Sequence, residues 1–144
     1  MKKITFPIIM ICLICLITGC GAKDSASKEY KKTAMEQVTE QYKKIIASND
    51  SAEIRELIKR INSFVNDSTA SAEEQKYAKL VSNFCTGIAK LSMTDEGISA
   101  FDFPEITYLQ TCIEGIAKNK DFSPLDEALS VSEKFVKKVE DFIK

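Results

Sequence analysis

Apolar residues recur at intervals of three and four along residues 29–144, with charged and polar residues between them. That spacing predicts helices with one buried face, and short polar breaks divide the stretch into five. The first is expected over 29–47, with Tyr30, Ala34, Val38, Tyr42, Ile45 and Ile46 on one face. On its other face Glu40 stands four residues before Lys44, a supportive pairing. Asp50 and Glu53 have capping-box spacing and open a second helix with the cleanest stripe: Ile54, Leu57, Ile58, Ile61, Phe64 and Val65.

After a polar break at 66–70, Ser71 and Glu74 repeat the capping-box spacing. They introduce a third helix ending near Met93, with Tyr77, Leu80, Val81, Phe84, Cys85, Ile88 and Leu91 aligned. The fourth follows Asp102-Phe103-Pro104-Glu105, with Asp102 as its expected cap and proline in the first turn, where the missing N–H costs nothing. Ile106, Leu109, Ile113 and Ile116 form its stripe. The fifth starts at Ser123-Pro124, a cap followed by proline, and carries Leu125, Leu129, Phe135, Val136, Val139, Phe142 and Ile143.

No run alternates with the period of a strand, and 5 glycines and 3 prolines are too few for a sheet rich in tight turns. The expected fold is therefore all-α: an up-and-down bundle of about five amphipathic helices, making a single domain over 29–144. Neither a sustained heptad seam nor a repeat of fixed period is present.

Residues 1–28 follow another pattern. Lys2 and Lys3 precede an apolar run from Ile4 to Ile17 broken only by Thr5 and Pro7. A membrane span needs roughly 20 apolar residues, more than this run offers. A basic start, a short apolar core and small residues before a polar stretch are the parts of a secretory signal peptide. The run ends Ile17-Thr18-Gly19-Cys20, which resembles the lipobox of bacterial lipoproteins. The resemblance implies cleavage after Gly19, a diacylglycerol on the Cys20 thiol and a further acyl chain on its amine. A single acyl chain holds a protein only marginally, whereas two or three, at about 0.8 kcal/mol per buried CH₂, anchor it firmly. Gly21, where an Asp tends to mean retention at the inner membrane, leans towards the outer membrane. The expected location is the cell membrane or outer membrane, with the protein facing periplasm or exterior. Residues 21–28 are small and polar and read as a tether reaching at most roughly 26–29 Å.

Removing residues 1–19 takes away Lys2 and Lys3 and no acid, which leaves 18 basic against 21 acidic side chains. That balance does not suit a nucleic-acid partner. Lys23, Lys28, Lys31 and Lys32 cluster near the anchor. They are read either as attraction to anionic headgroups, about 1 kcal/mol each, or as a solvated face.

Cys12 and Cys15 leave with the signal, so Cys85 and Cys112 remain as a pair in a compartment where disulfides persist. In antiparallel neighbours, residues at one height share a constant sum of positions. The pair 93 and 104 and the pair 85 and 112 have the same sum, and each cysteine borders its helix's stripe. A disulfide between Cys85 and Cys112 is expected, worth about 3–4 kcal/mol by loop closure; the alternative is two free thiols packed as small hydrophobes.

The loop 94–103 presents Phe101 and Phe103 as a possible partner contact. Alternatively, Phe101 packs on Ile106 as a hydrophobic staple beside an Asp102 cap. With no histidine, the usual proton shuttle and commonest metal ligand are missing. Glu73/Glu74, Asp95/Glu96 and Asp126/Glu127 are accounted for by helix starts. In residues 20–144 no Glu-x-x-His, Cys-x-x-Cys or phosphate loop occurs. No enzyme activity, cofactor or metal is expected. The leading expectation is a membrane-anchored protein-interaction module of the envelope. The alternative is a bundle binding a lipid or other apolar ligand, lined by Phe64, Phe84 and Phe135.

Overall fold

Helix initiation in this chain is mostly a matter of side-chain oxygens meeting orphan backbone N–H groups. The computed structural model describes residues 31–94 and 102–144. Helix α1 (Ala34–Ala47) begins at Thr33, whose hydroxyl accepts from the Glu36 N–H while the Glu36 carboxylate accepts from the Thr33 N–H. Expected to begin at 29, it starts at this reciprocal cap; Lys31 to Thr33 are non-helical and Tyr30 lies outside the described residues. The Glu40–Lys44 pair forms at 3.4 Å, and Glu40 also takes Lys32 at 2.7 Å.

Helix α2 (Ser51–Val65) is capped by Asp50, which accepts from the Ala52 and Glu53 N–H groups. The expected capping box is not closed directly. The Asp50 N–H donates to Ser48 Oγ, and that hydroxyl donates to Glu53 at 2.5 Å. Helix α3 (Ala72–Ser92) has the expected box at Ser71 and Glu74.

Helices α4 (Glu105–Asn119) and α5 (Leu125–Phe142) differ from expectation. Each begins at a proline, Pro104 or Pro124, with no side-chain cap. Both prolines are already in the helical region, so backbone carbonyls take the first N–H groups: Ile106 donates to Phe103 O and Leu125 to Phe122 O. Asp102 and Ser123 do not cap. α4 ends at Lys120, which adopts the left-handed conformation (φ 56°) and donates to Ile116 O.

α3 lies at the centre and touches the other four helices. Contacts climb together along α3 and α5: Lys76 with Asp126, Lys79 with Glu133, Asn83 with Ser132 and Lys90 with Glu140. These two helices are parallel. So are α1 and α3, through Met35 with Glu74 and Thr39 with Tyr77. α4 runs against α5, because Glu105 at its start meets Lys138 near the end of α5. α2 runs against α3, with Asn62 bonded to Ser82 and Gln75 to Asp67. The described residues thus form an all-α, up-and-down bundle of five helices.

The core holds Tyr77, Leu80, Val81, Phe84, Cys85 and Leu91 of α3, Leu109, Ile113 and Ile116 of α4, and Leu125, Phe135 and Val139 of α5, with Val38, Tyr42, Ile45, Leu57 and Ile61 from α1 and α2. Phe142 and Ile143, expected on the α5 stripe, are exposed because they lie at the helix end. A central helix is buried on more than one side, so Ala78, Ser82 and Gly87 of α3 are buried too.

Candidate functional site

Cys20, the expected lipidation site, and Phe101 lie outside the described residues. Phe103 is described, and it corrects the expectation of an exposed contact. It is 2% exposed, edge-on to Phe135 at 6.1 Å and to Phe142 at 5.5 Å, with Lys138 Nζ 5.0 Å from its ring centroid. Because the turn before α4 closes through its carbonyl, its side chain is directed into the bundle. The spacing of three between Phe103 and Ile106 was the available sequence signal.

Cys85 and Cys112 are both free thiols, so the expected disulfide is absent from this structure. The height argument stands, since α3 ends at Ser92 and α4 begins at Glu105. Direction separates the pair. Cys85 is buried beside Tyr42 and Tyr77, and burial pushes its thiol pKa far up. Cys112 is half-buried against Tyr108, whose hydroxyl lies by Glu127 of α5. Lys31 and Lys32 are exposed; Lys23 and Lys28 lie outside the described residues.

Two features of the bundle were not foreseen. The first is a polar seam where α1 meets α4. Tyr42, 3% exposed, donates to Glu114 at 3.4 Å, and the Gln110 side chain also bonds to Glu114. Beside them Tyr77 and Thr39 share a hydrogen bond of 3.0 Å. Desolvation raises the Glu114 pKa, against the opposing effect of its bonds to Gln110 and Tyr42. Desolvation likewise pushes the Tyr77 phenol up to about 12.

The second is at the end of the bundle opposite the turns 66–71 and 120–124. Met93, Phe142 and Ile143 are 57%, 43% and 42% exposed. The pairing of Lys90 with Glu140 places Met93 and Ile143 at one height. The chain enters the bundle at the other end, through Lys32 and Thr33. The acids of the first turns of α3 and α5 stand where the sequence placed them, Glu73 and Glu74, Asp126 and Glu127, while Asp95 and Glu96 lie outside the described residues.

Among the described residues no group of three or more Cys, Asp or Glu is placed to hold a metal ion, and no helix is long and apolar enough to cross a membrane. No protein family, curated protein or solved structure matches this chain.

Proposed function

We propose that this protein is a lipid-anchored, non-catalytic interaction module of the bacterial cell envelope. Cys20 carries the acyl chains, the tether keeps the bundle near the membrane, and the end of the bundle opposite Thr33 meets a protein partner. The observation that carries this reading is the exposed apolar group Met93, Phe142 and Ile143, at the end away from where the chain enters. Large apolar side chains grouped at one end of a small, highly charged domain are the usual material of a contact surface. The lipobox-like Ile17-Thr18-Gly19-Cys20 supports the anchor. Phe84 and Phe135, named for an apolar-ligand site, are buried against each other at 6.3 Å, which favours a filled core over a binding cavity.

The test uses the full-length protein in its own membranes, with a photo-cross-linking residue at Met93 or, as the control at the opposite end, at Thr69. One partner captured in stoichiometric amount from Met93 and not from Thr69 is expected. Equal capture from both ends, or a single lipid enriched with the bundle in place of a protein, overturns the reading. Labelled palmitate is expected in the parent chain and not in Cys20→Ala; its retention removes the anchor.

A further inference from the structure

With no histidine in the chain, no side chain of ordinary pKa changes charge between about pH 5 and about pH 8. Glu114 is placed unlike the other described carboxylates. It is half-buried on α4 where that helix meets α1. The titratable groups facing it are Tyr42 from α1 and, further in, Tyr77 and Cys85 from α3. Gln110, one turn back on α4, is buried and bonded to it. None of these is a cation. Among the described residues no lysine or arginine acts on Glu114 from α1, α2, α3 or α5, and Lys118, one turn on, is exposed and makes no bridge to it.

A half-buried carboxylate with hydrogen-bond donors but no cation beside it penalises the packed state while it is ionised, where desolvation outweighs those bonds. We propose that the α1–α4 seam is a pH-responsive latch, tighter with Glu114 protonated and looser with it ionised. α1 and α4 touch over a short seam, so one carboxylate weighs heavily there. The burial that raises its pKa sets the direction: a group that binds its proton more tightly when folded contributes stability at low pH. That contribution is lost as pH rises through the folded-state value. Glu40, Glu56 and Asp121 have lowered pKa values and act in the opposite sense, at pH below the ordinary carboxylate value.

The experiment is thermal unfolding of the detergent-solubilised full chain by circular dichroism, with hydrogen exchange corrected for intrinsic rates. Parent protein is expected to melt roughly 2–5 °C higher at about pH 5 than at about pH 7.5, with protection gained in α1 and α4 and not in α2. Glu114→Gln, which mimics the protonated side chain, is expected to melt alike at both. Tyr42→Phe removes a donor that favours the ionised form, so the pH dependence should move to higher pH. A parent protein with equal melting at both values overturns the proposal, as does a dependence that survives Glu114→Gln. So does protection that changes evenly over all helices. Should the glutamine variant fail to fold, an unchanged pH profile in Tyr42→Phe overturns it instead.

Discussion

Gly87 and Gly115 are both helical glycines, and nothing in the sequence around them tells them apart. A Cβ added at Gly87 would lie 2.3 Å from Phe135 Cε1, whereas one at Gly115 would meet nothing within 4 Å. Phe135 has no space to retreat: it is fully buried and packs on Phe84 and Phe103. Gly87→Ala is therefore expected to lose about 1–3 kcal/mol in urea unfolding, through overpacking. Gly115→Ala should gain about 0.5–1 kcal/mol from helix propensity. The two cysteines differ in the same way. In the native mature protein Cys112 is expected to react with a thiol reagent, while Cys85, buried and disfavoured as a thiolate, should react only on unfolding. Loss of both thiols from the denatured, unreduced protein would show a disulfide instead. Position along the helix was legible for Cys85 and Cys112; the side of the helix each thiol serves was not.

At the scale of elements, Glu74 connects local signal to tertiary structure. Its spacing from Ser71 marks the start of α3, and one carboxylate oxygen accepts from the Ser71 N–H at 3.0 Å. The other accepts from the Met35 N–H at 3.2 Å, in the first turn of α1. One side chain thus satisfies orphan donors of two parallel helices. Glu74→Ala should cost about 1–3 kcal/mol, because a part-buried donor at the start of α1 and an exposed one at the start of α3 both lose their acceptor. Thr33→Ala should cost about 1 kcal/mol, the ordinary loss of a cap. Equal losses in chemical unfolding would mean that the bond to Met35 contributes nothing. The Thr33-x-x-Glu36 box has the same spacing and was readable from the sequence. Apolar positions that extend back to Tyr30, before it, mask it. The starts of α4 and α5 depart from the sequence pattern for a different reason: Pro104 and Pro124 are themselves helical in conformation, which leaves Asp102 and Ser123 outside the cap.

Over the whole molecule, the three ion pairs between α3 and α5 are exposed, and such pairs contribute little stability. Their value is as markers of register. Between about pH 4 and about pH 8 the pH dependence of stability should follow the described carboxylates. Falling pH removes the contributions of Glu40, Glu56 and Asp121, whose pKa values are lowered, and rising pH removes that of Glu114, whose pKa is raised. The expected profile has its maximum in mild acid, just above the ordinary carboxylate range near about pH 4.3. Urea midpoints measured across the range check this, and a maximum at neutral pH would contradict it.

The sequence by itself determined the class of fold, the five helices among the described residues, most of the apolar face of each and the start of α3. All of these depend on residues within a few positions of one another. It also supplied the reading of Cys20 as an anchor, which rests on a contiguous motif. The tertiary structure alone decided which helix is central, why Gly87 must stay small, where Phe103 goes and which way the two thiols face. It also decided that Glu114 and Tyr42, 72 positions apart, share a seam without a cation. Helical period fixes which residues point inward together; only the packing of helices on one another fixes what they point at.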